Sequence, residues 1–391
     1  MNDAATVYLD HAATTPMVDA AVEALTRQLR EVGNASSLHA SGRRARRVVE
    51  ESRERIAQAI GSRPGEVVFT SGGTEADNLA LKGLYWSRRG SDAQRRRILS
   101  TAIEHHAVLD PLEWLVEHEE AALTLLPVSD TGRLRTDALS DAIAEDPATV
   151  ALISLMWANN EVGTLQPVAE VVARAAEHRI PVHTDAVQAL GAVPVDFAAS
   201  GVDAMTLSGH KVGGPIGVGA LVVRRELELA PLLHGGGQER DVRSGTLDVP
   251  AIAGFAAAVE LAAKNQADHA GRVGALRDRL IAEVRRAVPD ARLNGEPEDR
   301  LPGNAHFSFP GCEGDSLLML LDARGIECST GSACSAGVPQ PSHVLLAMGH
   351  GEDAARSSLR FSLGHTSTED DVAALGAAIG ACVERARAAR A

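Results

Sequence analysis

Apolar residues recur every three or four positions at Val18, Val22, Leu25 and Leu29, behind Thr15-Pro16, and predict a capped helix with proline in its first turn. A short apolar strand is predicted over 66–70, followed by the turn Ser71-Gly72-Gly73-Thr74-Glu75 and a helical period through Leu79 and Leu84. A strand, a glycine turn and a helix start aim free N–H groups and a positive dipole end at the turn, which suits a phosphate. The middle third repeats this unit, with strands over 150–156, 180–184, 204–207 and 219–223 and an amphipathic helix over 167–178. Continuous apolar strands spaced by helices imply a mainly parallel sheet covered on both faces, with ligands bound beyond the strand ends. After about residue 255 the pattern changes to long helices over 256–264 and 270–288, a strand over 306–309, a helix over 314–323 and a terminal helix from 368. This later part reads as a smaller α+β domain.

A length of 391 residues exceeds what one core usually supports, so two domains are expected. The larger covers 13–255; the smaller combines 1–12 with 256–391. Hydrophobic residues make up 45% and aromatic ones 3%, so packing must rest on Ala, Leu and Val. A formal charge of −14 argues against general nucleic-acid binding, which needs a basic surface. Arg43, Arg44, Arg46 and Arg47 form a local basic cluster, read as solvated surface with an acidic docking partner as the alternative. Met1 to Asp10 carry acid and no long apolar core, and no segment reads as a membrane span, so the cytoplasm is the expected location. Cys312, Cys328, Cys334 and Cys382 make no disulfide framework and no zinc spacing, and no metal is expected.

The chemistry begins at Ser208-Gly209-His210-Lys211, whose lysine lies 26 residues beyond Asp185. Lysine is scarce: Lys82, Lys211 and Lys264 stand against many arginines. A purely cationic task suits arginine, whereas an imine needs an amine that can lose its proton. A lysine past a strand, with a carboxylate at a neighbouring strand end, can hold pyridoxal phosphate covalently and keep its pyridine nitrogen protonated. The alternative for Asp185 is an ordinary cap on the following helix.

Eight motifs in order carry a wider resemblance. They are Tyr8-Leu9-Asp10-His11-Ala12-Ala13-Thr14-Thr15-Pro16, Gly33-Asn34-Ala35-Ser36-Ser37-Leu38-His39, Phe69-Thr70-Ser71-Gly72-Gly73-Thr74-Glu75, Glu104-His105-His106-Ala107-Val108-Leu109, Asn159-Asn160-Glu161-Val162-Gly163-Thr164, the Lys211 motif, Arg243-Ser244-Gly245-Thr246, and Ser329-Thr330-Gly331-Ser332-Ala333-Cys334. Together they resemble the cysteine desulfurases, pyridoxal-phosphate enzymes of fold type I in the class V aminotransferase superfamily. The resemblance implies an α/β large domain with a mainly parallel seven-stranded sheet, plus a smaller α+β domain carrying a catalytic cysteine loop.

It also implies roles. Lys211 binds the cofactor, Asp185 faces the pyridine nitrogen, Gln188 and Asn160 meet the ring oxygen, and His105 stacks on the ring and moves protons. Gly73, Thr74, Ser208 and His210 receive the phosphate, joined by Thr246 from the partner subunit of a homodimer. Asn34 and Arg360 bind the substrate carboxylate, and Cys334 takes sulfur from L-cysteine as a persulfide, leaving L-alanine. The sulfur then passes to an acceptor protein, an iron-sulfur scaffold or a tRNA-thiolation enzyme. The chain ends in Glu384-Arg385-Ala386-Arg387-Ala388-Ala389-Arg390-Ala391, unlike the scaffold-docking tail of housekeeping bacterial members, so the acceptor is not carried over. Cys328 reads as inert packing. Alternatives are a selenocysteine lyase or related C–S lyase, and a carrier protein with a vestigial cofactor site, against which Lys211, Asp185 and His105 speak.

Overall fold

A computed structural model describes residues 6–331 and 340–390. Its main sheet has seven strands in the order Val67–Thr70, Gly219–Val223, Ala204–Ser208, Val182–Asp185, Val150–Ser154, Arg97–Thr101 and Ala122–Leu126. Gly219–Val223 is antiparallel to both its neighbours, and the other pairings are parallel. The seven-stranded, mainly parallel sheet and the fold class implied by the motifs are therefore present. Five of these strands are buried along their whole length, which explains their unbroken apolar character.

One large apolar cluster joins Phe69, Ile153, Val182, Met205 and Val222 to helix residues Val49, Ile56, Ile252, Phe255 and Val259. A second gathers Leu9, Phe307, Phe309, Phe361, Leu375 and Ile379 around a three-stranded antiparallel sheet, in the order Ser358–Ser362, Asn304–Ser308, Arg292–Asn294. Each such buried side chain contributes about 1.5–3 kcal/mol relative to exposure, so both clusters hold their layers firmly. The early strand Val7–Tyr8 pairs with Ile326–Glu327, and Ser362 N–H donates to Leu9 O at 2.7 Å, tying the first residues to the second cluster. The helix Val249–Lys264 is continuous and belongs to the first cluster. A boundary at 255 would cut through it.

Two local expectations change. The helix after Thr15-Pro16 is Asp19–Leu29 with Val18 as N-cap and no side-chain cap, because Thr15 Oγ1 instead lies 2.6 Å from His11 Nδ1. The strand expected over 150–156 ends at Ser154, because Met156 N–H turns to the Glu104 carboxylate at 3.0 and 3.1 Å.

Candidate active site

The ends of the parallel strands meet the N-terminus of the helix Gly73–Ser91 around a cavity of 250 Å³. Its walls include Gly73, Thr74, His105, Asn160, Asp185, Gln188, Ser208, His210 and Lys211, nine of the residues singled out in the sequence. A Cβ on Gly73 would stand 3.1 Å from Val187 Cγ2 and 3.5 Å from Ser208 Cβ, so glycine keeps the helix start close to the next strand end. Gly72, at φ 153°, turns the chain into that helix. The resulting N–H cluster sits beside Ser208 and His210, at the positive end of a 19-residue helix.

Lys211 Nζ donates to Ala12 O at 2.6 Å and Ala13 O at 2.9 Å. Gln188 Nε2 shares the Ala12 acceptor at 2.9 Å, so the early motif forms part of the lysine's setting. Burial, then the Arg360 charge, pull the lysine down to about 8, against the opposing pull of Asp185 and Asp10. Asp185 closes the strand Val182–Asp185 and accepts the Val187 N–H at 2.8 Å; burial raises its carboxyl above the usual range, partly offset by that bond and by Lys211. His105 caps the helix His106–Glu119 by accepting the Ala107 N–H on Nδ1 at 3.1 Å. Burial, followed by Lys211, holds the imidazole down to about 4, so it is neutral and bears its proton on Nε2.

The donor set fits pyridoxal phosphate. A lysine amine, a buried carboxylate and a glycine-bounded helix N-terminus share one cavity, and a methyl group on Gly73 would begin to fill it.

Arg360 lies in the strand Ser358–Ser362 opposite His306, with Nη2 2.8 Å from Asp10 Oδ1 and Nη1 2.9 Å from Asn160 O. The residue is 4% exposed and its charge acts on Lys211, placing it beside the cavity, outside the wall residues. Asn34 does not line the cavity, and its Oδ1 accepts the Ser36 N–H at 2.9 Å, which leaves the side-chain NH2 as its donor. Thr246 is exposed and does not line the cavity. Cys334 lies outside the described residues. Cys328 is a free thiol that burial drives far up, in keeping with packing.

Four residues near the site were given no role from the sequence. Asp10 holds Arg360; Glu104 accepts the Met156 N–H and, at 3.0 Å, the Thr101 hydroxyl; Asp77 is a buried residue of the cavity wall, and His183 is fully buried outside it. Asp77 had a signal: it interrupts the apolar face Ala76, Leu79, Ala80, Leu84 of its helix, where an acid has no structural purpose.

The Aminotransferase class-V family profile matches residues 7–375. An "IscS-like cysteine desulfurase" of Mycobacterium tuberculosis is 57% identical over 383 residues, 98% of this chain and 97% of that protein. A "Cysteine desulfurase IscS" of Dictyoglomus turgidum is 44% identical, with 94% of this chain and 91% of that protein covered. Among solved structures, a "NIFS-LIKE PROTEIN" superposes with a TM-score of 0.90 at 34% identity, covering 97% of this chain and 100% of that one. Another, titled "SspA in complex with cysteine", has a TM-score of 0.78 at 33% identity, covering 92% and 99%. With the cavity's lysine, carboxylate and glycine cradle, these likenesses show that the chain belongs to the class-V aminotransferase family, among the pyridoxal-phosphate-dependent cysteine desulfurases.

Proposed function

We propose that this chain removes sulfur from L-cysteine, giving L-alanine and a persulfide on Cys334. The observation that carries the reading is that Lys211 and Asp185 open on one cavity beside Arg360, an arrangement suited to a bound amino acid. Pyridoxal phosphate supplies an electron-poor ring that delocalises the charge left at the substrate Cα.

Lys211 Nζ would hold the cofactor, with Gly73, Thr74, Ser208 and His210 available to its phosphate, Asp185 to its pyridine nitrogen, and Asn160 and Gln188 to its ring oxygen. With its amine free, Lys211 Nζ would take the substrate Cα proton. An ammonium brought down to about 8 leaves a useful share of free amine near neutral pH. His105, in the cavity wall with its Nδ1 engaged by the Ala107 N–H, would relay a proton through Nε2. Arg360, with Asn34, orients the substrate carboxylate.

The Cys334 thiolate then attacks the substrate sulfur. An S–S bond forms, the substrate C–S bond breaks, and its electron pair passes to the carbon fragment, which gains protons and leaves as alanine. Ser329 exchanges two backbone hydrogen bonds with Arg360, at 3.2 and 2.7 Å. Cys334 follows Ser329 by five residues, a length of chain that spans at most about 17 Å when extended.

We also propose a homodimer in which Thr246 serves the partner's phosphate site. Leu38, Val32 and Ile216, at 87%, 80% and 79% exposure, supply apolar surface for such an interface. An acceptor protein, an iron-sulfur scaffold or a tRNA-thiolation enzyme, takes the persulfide sulfur. A cytoplasmic location accords with the described helices, none of which is long and apolar enough to cross a membrane. The division into a large unit from 13 and a small unit joining 1–12 to the later residues is proposed with the boundary moved past Lys264, because the helix ending there packs in the first cluster.

The test is incubation of the cofactor-loaded protein with L-cysteine and a thiol reductant. Equal yields of alanine and sulfide are expected. Cys334→Ser should lose the sulfide while keeping the cofactor's absorption. Sulfide released by that variant at the parent rate would overturn the reading in favour of a C–S lyase that needs no persulfide.

A further inference from the structure

In the wall of the cavity, two carboxyl groups, Asp77 and Asp185, repel one another and are served very differently. Asp77 sits one turn into the helix Gly73–Ser91, is 1% exposed, and its Oδ1 makes no hydrogen bond. His183 Nε2 is 3.5 Å from that oxygen, beyond a good hydrogen bond. The imidazole is fully enclosed, with Nδ1 2.9 Å from Ser154 Oγ and Nε2 3.1 Å from Thr206 Oγ1. Burial holds it down to about 3, so it brings no positive charge. The charges acting on Asp77 are Asp185 and Glu104, both of its own sign.

Asp185 is better served. It accepts the Val187 N–H at 2.8 Å and has the Lys211 ammonium as a neighbour. Two carboxylates in one buried place cannot both ionise, and the negative charge settles where donors and a cation are. We propose that Asp77 is a neutral carboxylic acid holding the proton of the Asp77–Asp185 pair, so that Asp185 alone presents a charge to the cofactor's pyridine nitrogen. Asp77 thus acts through Asp185 as a positioning residue, and the inference rests on the reading of Asp185 given above. Burial pushes the Asp77 carboxyl well above its ordinary range, in the same direction.

The test is infrared spectroscopy of the holoenzyme grown with aspartate labelled with carbon-13 at the carboxyl. Glu104 stays unlabelled and does not contribute to the label shift. At neutral pH a carbonyl band of an un-ionised carboxylic acid should move with the label and vanish in Asp77→Asn. Asparagine imitates a neutral acid, so that variant should also hold pyridoxal phosphate within about threefold of the parent affinity, with the same pH titration of its absorption. Absence of a label-sensitive band in the parent protein overturns the inference and needs no variant. A band that survives Asp77→Asn but is lost in Asp185→Asn also overturns it, by placing the proton on the other carboxyl. If Asp185→Asn binds and absorbs as the parent does, the assignment of Asp185 itself fails, and with it the role given to Asp77, even with the band in place.

Discussion

Arg360 Nη2 stands 2.8 Å from Asp10 Oδ1, so the arginine beside the cavity is already held by an internal carboxylate. With Nη1 on Asn160 O, two contacts fix the guanidinium plane before any ligand arrives. Asp10→Ala should therefore loosen the arginine and raise KM for L-cysteine about tenfold, with a smaller effect on kcat. Steady-state kinetics check this. A fall in KM would mean that Asp10 competes with the substrate carboxylate, and the positioning role would be wrong.

A buried ion pair secures the loop that leads to Thr246. Arg53 Nη2 meets Glu239 Oε1 at 2.7 Å and Nη1 meets Oε2 at 2.8 Å, while Glu239 Oε2 also accepts the Phe69 N–H at 2.8 Å. Glu239→Ala leaves a buried cation and a strand N–H without their partner, which should cost about 3–5 kcal/mol in urea unfolding. The exposed pair Arg135–Asp137 is a control: Asp137→Ala should leave the unfolding midpoint unchanged.

Much of this was legible in the chain. The unbroken apolar runs announced buried parallel strands, and the scarcity of lysine pointed to Lys211. Nine of the residues named from the sequence do line one cavity. What escaped has a common physical cause. Asp10 and Glu104 act through partners 350 and 52 residues away, at Arg360 and Met156, and Asp77 meets the charge of Asp185, 108 residues away (185 − 77); local periodicity carries no information about such pairings. The helix expected over 256–264 begins earlier, at Val249, for a similar reason. Helix Val249–Lys264 packs on Asp19–Leu29 and Ala40–Ala59, early elements that a reading along the chain places in another part of the molecule.

Glu104 gives a pH prediction with a definite sign. Burial raises its carboxyl to about 8, against hydrogen bonds from Met156 and Thr101. Between the ordinary glutamate value and about 8 the folded state holds a proton that the unfolded chain has lost, so this group's contribution to stability falls as pH rises through that window. Glu104→Gln should flatten the decline. Melting temperatures of the cofactor-free protein at pH values across that window check it, and an equally steep decline in the variant would contradict it.

Lys211 has the opposite slope. Its folded value near 8 lies below the unfolded one, so the unfolded chain binds more protons above about pH 8 and stability rises with pH there until the ordinary lysine value is reached. Lys211→Gln should abolish that rise in the cofactor-free protein. The same variant should bind pyridoxal phosphate reversibly, so that dialysis removes it, whereas the parent retains its colour.

The most direct measurement is the mass of the peptide containing Cys334 after one brief exposure of the cofactor-loaded enzyme to L-cysteine without reductant. A gain of one sulfur atom on that peptide, matched by one alanine per active site and absent in Lys211→Ala, is the expected result. Alanine formed while the Cys334 peptide keeps its original mass would contradict the transfer of sulfur to this thiol.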